Sequence, residues 1–240
     1  MSEGYFFEHA GRCPICEAGV TFSAQHDWFR DHLLCPLCRS IPRERALMYC
    51  IQQYYPGWRS LRIHESSPVD RGASTKLREA AHYVPSQFDP SFAFGERSPS
   101  GWVNQDLEQQ TFADQSFDLV VTQDVFEHVF DVDAAAREIA RTLRPGGAHI
   151  FTTPLVRKAQ PSEQRATRAS DGTVRHLAEP EYHGNPVDPK GSLVTWHFGF
   201  DLATWIQEVT RMPTMILAMD RMDLGIQAEY IEVMISFKTI

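Results

Sequence analysis

The sequence predicts a doubly wound α/β domain with a mostly parallel, seven-stranded sheet, fronted by a small metal-binding module. Three observations predict it. From residue 42 onward, apolar runs of strand length alternate with amphipathic helical runs. One run, "FDLVVTQ", is apolar almost throughout, as in a strand buried on both faces of a parallel sheet. Ahead of them, Cys13, Cys16, Cys35 and Cys38 form two C-x-x-C pairs, "CPIC" and "CPLC", with eighteen residues between them.

Residues 1–41 are loop-rich and too short to build a core alone, so a metal must supply the missing stabilisation. The spacing of the four cysteines falls in the range of a four-thiolate zinc site. Each two-residue gap curls the backbone so that both thiolates face one point, and two such knuckles complete a tetrahedron. The alternatives are a pair of disulfides or a redox dithiol, but a dithiol needs one pair only. Between the knuckles, "VTFSAQHDWFRDHLL" supplies short strands, and its His26 and His32 read as surface residues. Replacing Cys35 is expected to loosen about the first 40 residues while the larger domain stays folded.

Residues 42–240 carry the α/β pattern. Pro42 opens the helical run "RERALMYCIQQYY", which Pro56 and Gly57 end and in which Cys50 reads as a buried free thiol. "SLRIHE" reads as the first strand, "STKLREAA" as a helix with Ser74 as N-cap, and "HYVPSQF" and "GWVNQDL" as strands. "FDLVVTQ" is the next strand, then comes an amphipathic helix in "DVDAAAREIARTLRPGG" with Pro-Gly-Gly as its stop, then the strand "AHIFTTP". Residues 156–193 are polar, too long for an ordinary connection, and predicted to be a lid. "DLATWIQEVTRM" is a helix, "TMILAMD" a strand, and the alternating "AEYIEVMISFK" an antiparallel strand near the sheet edge.

Composition narrows the function. The chain of 240 residues carries a formal net charge of −8, which disfavours nucleic acid as the main partner. It has no apolar stretch long enough to span a membrane, and Met1 to Arg12 has no secretory pattern, so a cytoplasmic location is expected.

In a doubly wound sheet, ligands bind at the carboxyl ends of the strands. The first strand ends in His64, Glu65, Ser66 and Ser67, the second in Ser86 and Gln87, and the third in Asp106 and Leu107. The fourth ends in Thr122, Gln123 and Asp124, with Glu127 and His128 just beyond in "VFEHV". These polar groups share one rim, where a cofactor would lie. Inside the predicted lid, "EYHGNP" places Tyr182 and His183 together, and the loop is expected to bring both over that rim.

The stretch "WVNQDLEQQTFADQSFDLVVTQDVFEHVFDVDAAAREIARTLRPGGAHIFTTP" resembles the central part of class I S-adenosylmethionine-dependent methyltransferases of the type 11 kind. The resemblance rests on "DLE" after the third strand, "SFDLV" opening the fourth, "EHV" after it and "LRPGG" before the fifth. It runs over about residues 60 to 155 and implies a Rossmann-like sheet. The cysteine module leading into "RSIPRERAL" is similar to zinc-ribbon-bearing bacterial members of the superfamily. By that resemblance Asp106 accepts the adenine amino group, Leu107 packs on the ring, and Gln123 and Asp124 line the methionine half and the substrate mouth. His64 or Glu65 stands for the family's first acid, Ser66 and Ser67 for its glycines, and Gln87 for the acid that grips the ribose. His183, His128 and Asp124, in that order, are the candidate bases.

The sequence therefore reads as a zinc-bearing, S-adenosylmethionine-dependent methyltransferase acting on a small molecule or sugar. The alternatives are a zinc-module-guided enzyme or binding protein for RNA or protein, with Arg39, Arg43 and Arg45 as its docking patch, and a cofactor-free scaffold whose glycine-poor first loop has lost its ligand.

Overall fold

The computed structural model describes residues 6–185 and 188–239. Met1–Tyr5 of the predicted module, and Pro186 and Val187 of the predicted lid, lie outside the described residues.

The chain opens with an antiparallel hairpin, β1 (Phe7–Cys13) and β2 (Ala18–Ala24), and a single helical turn, α1 (Phe29–His32). Helix α2 (Pro42–Tyr54) begins at the predicted proline, and the Ile41 N–H donates to the Glu44 carboxylate at 3.0 Å, closing the first turn. Next comes the parallel sheet: β3 (Arg62–Ser66), β4 (His82–Gln87), β5 (Val103–Asn104), β6 (Phe117–Gln123) and β7 (Leu143–Thr152). Helices α3 (Gly72–Leu77) and α4 (Val132–Thr142) connect them. After β7 come three two-stranded ribbons. β8 (Glu163–Gln164) pairs with β13 (Trp196–His197), β9 (Ala166–Arg168) with β10 (Val174–His176), and β11 (Tyr182–His183) with β12 (Ser192–Leu193). Helix α5 (Asp201–Thr210), β14 (Thr214–Leu217) and β15 (Val233–Phe237) complete the fold.

The sheet has seven strands in the order β14-β15-β7-β6-β3-β4-β5, and β15 alone runs against the rest. The alternating C-terminal strand is therefore antiparallel as expected, but it is second from the edge, covered by β14. Successive side chains of a strand face opposite sides. Leu119 and Val121 of β6 join a core formed with α2, α3 and the hairpin, and Val120 joins the one formed with α4 and α5.

Two local readings are corrected. Ser74 is not an N-cap: α3 starts two residues earlier, and Ser74 is buried within it, donating to Glu65. "LRPGG" is not a helix stop but part of β7. Gly147 lies so close to the Asp118 carbonyl that a Cβ would sit 2.5 Å from it, and the ladder is irregular between Phe117 and Leu119. The glycines serve close strand approach at a bulge.

The hairpin does not stand apart. Cys13, Phe22, Leu33 and Cys35 belong to the same buried cluster as Leu47, Met48, Ile51, Ile63 and Ile150. Arg45 of α2 is fully buried and bridges the carbonyls of Ser40, Leu33 and Gly225. Among the described residues, no helix is long and apolar enough to cross a membrane.

Candidate active site

From β3 the chain builds outward through β4 and β5, then returns to the other side of β3 with β6. The order reverses there, so the carboxyl ends of β3 and β6 part and leave a crevice. The turn after β3 closes tightly. Ser67 takes φ of +66°, the conformation a glycine adopts most readily, and its N–H donates to the Ser86 carbonyl at 3.0 Å.

The predicted cofactor residues divide into groups. His64 is corrected: it points into the core, fully buried, between the Phe112 and Phe117 rings. Its Nε2 pairs with Ser86 Oγ at 2.8 Å, which withdraws Ser86 from the rim as well. Burial pushes the His64 pKa down to about 3. Glu65 is also fully buried, and its carboxylate accepts from Ser74 (2.6 Å), Tyr83 (2.7 Å) and Gln123 (2.8 Å). Burial raises its pKa against the pull of those three donors. Glu65 and Gln123 therefore brace the ends of β3 and β6 rather than reach outward, and Ser66 is buried in the strand beside them.

Ser67 and Gln87 are tied to each other. The serine hydroxyl donates to Gln87 Oε1 at 2.6 Å, and Gln87 Nε2 donates to the Pro68 carbonyl at 3.1 Å. Leu107 is buried in the core against α4 and α5. Asp106 is half-buried. One of its oxygens accepts the Glu108 N–H at 2.9 Å, and the other receives no hydrogen bond among the described residues.

Asp124 is corrected as a candidate base. It takes φ of +51° at the end of β6 and accepts from Arg30 (2.6 Å), Arg43 (2.9 Å) and Thr152 (2.9 Å). Burial alone would raise its pKa, but the two guanidinium groups outweigh burial and the net shift is downward. A carboxylate held ionised by two cations takes up protons poorly. Arg30 belongs to α1 and Arg43 to α2, so the N-terminal segment is clasped to the rim. Sequence reasoning gave Arg30 no part in this. The proposed arginine docking patch is corrected with it. Arg45 is buried, Arg43 is committed to Asp31 and Asp124, and only Arg39 faces solvent.

The four cysteine sulfurs lie within 4.8 Å of one another. Cys13 to Cys38 and Cys16 to Cys35 are each 3.8 Å. Four sulfurs about 2.3 Å from a central zinc stand about 3.8 Å apart in a tetrahedron, so the donor set fits that ion. The Cys38 sulfur and burial push the Cys13 thiol up to about 12. His26 and His32 are exposed, their rings tilted against each other at 4.7 Å, and neither joins the cysteine donor group; Cys50 is a buried free thiol.

The segment 156–193 and the residues just after it are fastened to the turn beyond β6 and to the loop beyond β5. His128 Nδ1 donates to the Leu193 carbonyl at 2.9 Å, the Thr195 N–H donates to the Glu127 carbonyl at 2.8 Å, and Arg168 pairs with Glu108 at 2.5 Å. This places His183 beside His128, ring centroids 5.1 Å apart, and its Nδ1 lies 3.7 Å from Glu127 Oε1. The Glu127 contact raises the His183 pKa against the effect of burial. Tyr182 is exposed. Glu127 was visible in "EHV", yet its burial (2% exposed) and its link to His183 could not be read from the chain.

A concavity of about 790 Å³ lies between Glu108, Asp131, Arg168, Trp196 and Trp205. Another, of about 310 Å³, lies between Trp28, Met219 and Glu229. Neither is lined by the residues at the crevice.

The methyltransferase domain family matches residues 75–151. Dimethylglycine N-methyltransferase of Parasynechococcus marenigrum (strain WH8102) is 44% identical over 74 residues, 31% of this chain; the chain spans 22% of that protein's length. Among solved structures, the 1,6-didemethyltoxoflavin-N1-methyltransferase of Burkholderia thailandensis, with 1,6-didemethyltoxoflavin and S-adenosylhomocysteine bound, is 13% identical. The match covers 82% of this chain and 79% of that one, with a TM-score of 0.51. Streptomyces venezuelae DesVI is 11% identical over 82% of this chain and 91% of its own, with a TM-score of 0.52. At such identities the likeness is one of fold.

Proposed function

We propose that this chain, whose residues 75–151 match the methyltransferase domain family on a Rossmann-like sheet, is an S-adenosylmethionine-dependent methyltransferase acting on a small-molecule acceptor. One observation carries the reading: the family match over residues 75–151 takes in β4 to β6 and most of β7, and with them the β6 side of the switch-point crevice, Asp106 and Glu127. The small substrates in the names of the dimethylglycine and didemethyltoxoflavin enzymes support a small acceptor, and so does the net charge of −8.

Asp106, with one carboxylate oxygen uncommitted, suits the adenine amino group, and Leu107 forms the apolar floor beside it. The crevice is latched by the Ser67–Gln87 hydrogen bond, and a cofactor must replace that bond when it enters. Exchanging one neutral hydrogen bond for another costs little, about 1 kcal/mol or less. When bound, S-adenosylmethionine supplies a methyl group on a good leaving group. The protein's task is then alignment of the acceptor and removal of its proton. We place the acceptor at the Glu127–His128–His183 corner, where the segment 156–193 meets the rim. Zinc at Cys13, Cys16, Cys35 and Cys38 supports the segment that carries Arg30, and the Arg30–Asp124 and Arg43–Asp124 pairs hold the crevice wall.

Calorimetric titration with S-adenosylmethionine and S-adenosylhomocysteine tests the reading. Saturable binding of both is expected. Absence of binding by either would leave a cofactor-free scaffold.

A further inference from the structure

We propose that Glu127, His128 and His183 form a second metal site, for a divalent first-row transition-metal ion, at which an acceptor hydroxyl binds and loses its proton. The inference deepens the acceptor assignment above and rests on it for the acceptor, but not for the metal.

The three donors converge. Glu127 Oε1 lies 3.9 Å from His128 Nε2 and 3.7 Å from His183 Nδ1, and all three atoms are within 4.8 Å of one another. Donors about 2.0–2.2 Å from a shared tetrahedral cation stand about 3.4 Å apart, so the carboxylate closes on each imidazole by roughly half an ångström or less, and the two imidazoles close on each other by at most about 1.4 Å.

The far atom of each donor is already occupied. His128 Nδ1 donates to the Leu193 carbonyl at 2.9 Å; a carbonyl only accepts, so the proton is on Nδ1 and Nε2 is bare toward Glu127. His183 Nε2 meets Glu181 Oε1 at 3.3 Å, and Glu181 Oε2 meets His197 Nε2 at 2.9 Å. In the neutral ring, with its proton on Nε2 toward Glu181, His183 presents a bare Nδ1 to Glu127 on the inner side, and a metal ion takes the place of the proton there. Glu127 Oε2 accepts the Thr153 hydroxyl at 2.8 Å, and Oε1 is buried with no hydrogen-bond partner. An unpartnered carboxylate oxygen in a buried position is costly, and a cation is what relieves it. Imidazoles whose second nitrogen is fixed by a carbonyl or a carboxylate are the usual arrangement around a bound metal.

Two nitrogens and one carboxylate oxygen suit zinc and its divalent neighbours, and three protein ligands leave an open position. His183 is 37% exposed at its side chain, so the site is reached from solvent on that side. An acceptor hydroxyl bound there is acidified by the ion. Its O–H bond breaks, the proton passes to solvent water, and the oxygen keeps the electron pair as a metal-bound alkoxide or phenolate. The acceptor class is therefore a small molecule with a ligating hydroxyl or enol oxygen.

The test uses untagged full-length protein and cobalt(II) as the probe, with zinc content measured in parallel. Two equivalents are expected, one with intense thiolate-to-cobalt absorption and one with only weak nitrogen- and oxygen-type bands. His183→Asn and Glu127→Gln should each abolish the second equivalent and leave the thiolate signal. Glu181→Gln, which touches no metal, should weaken the second site about 10–100-fold and so keeps the test open if a ligand variant misfolds. A wild-type protein showing only the thiolate-type site overturns the proposal, as does a second equivalent unchanged in all three variants. None of these readings needs cofactor or acceptor, so failure of the metal site and failure of the methyltransferase reading are separate results.

Discussion

The cysteine cluster and the Glu127–His128–His183 corner are both sets of metal-type donors, and they differ in how the chain builds them. The cysteines come in pairs with two residues between them, so short knuckles orient each pair, and the sulfurs already stand at tetrahedral spacing. In the corner, His183 lies more than fifty residues after Glu127 and meets it only because a ribbon segment returns to the rim. Its donors are tethered from behind by the Leu193 carbonyl, the Thr153 hydroxyl and the Glu181 carboxylate. Local spacing yields a closed, structural geometry; long-range assembly yields an open one, in which an exchangeable ligand has room. The first kind stabilises the chain, and the second is suited to chemistry.

The largest effect that tests this contrast is on stability. Cys35→Ser should release the cysteine-bound metal and, because Cys35 shares one core with Leu47, Met48 and Ile150, lower the stability of the whole chain. A loss on the order of 5 kcal/mol, or a fall of about 10–20 °C in Tm, is expected by calorimetry. A melt with a small early transition and an unchanged main one would instead make residues 1–41 a separable module.

Asp124→Asn comes next. It removes the carboxylate that Arg30 and Arg43 share, leaving two largely buried cations with one neutral acceptor. Loss of about 3–5 kcal/mol is expected in urea unfolding. A loss below about 1 kcal/mol would show that the clasp between the two regions is incidental.

His64 and His149 mark a third kind of place, an imidazole sealed in the sheet, each with its pKa pushed down to about 3 by burial. Between that value and about 6.5, the unfolded pKa, the unfolded chain binds more protons than the folded one, so stability falls as pH falls. From pH 7.5 to 5.5 the two together should cost about 3 kcal/mol. The check is the urea midpoint at both pH values. A flat profile would mean that these rings find protons in the folded state.

The smallest effect belongs to the crevice. Asp106→Asn keeps an acceptor for the Glu108 N–H but removes the charge, and about tenfold weaker S-adenosylmethionine binding is expected, close to 1.4 kcal/mol. Calorimetry giving wild-type affinity would place the adenine elsewhere.

Much of the fold was legible because burial writes itself into periodicity. "FDLVVTQ" is the strand Phe117–Gln123 to the residue, since a strand covered on both faces has to be apolar throughout. The helix start at Pro42 and the strand at His82 were equally plain. "LRPGG" misled because a glycine pair signals a helix end and a strand bulge alike, and only the neighbouring Asp118 carbonyl distinguishes them.

What the sequence determined by itself is therefore what depends on near neighbours: the alternation of strands and helices, the four-cysteine set, and which residues fall at strand ends. Which of those strand-end residues face a ligand was decided by the tertiary structure. His64 and Glu65 are adjacent, yet one is spent on Ser86 in the core and the other on three donors from α3, β4 and β6. Asp124 became half of an ion-pair clasp because α1 and α2 return to the rim, and Glu127 acquired the His183 imidazole beside that of its neighbour His128 because the ribbon segment does. The reason is physical. Hydrogen bonds and ion pairs act over about 3 Å of space, whatever the separation along the chain.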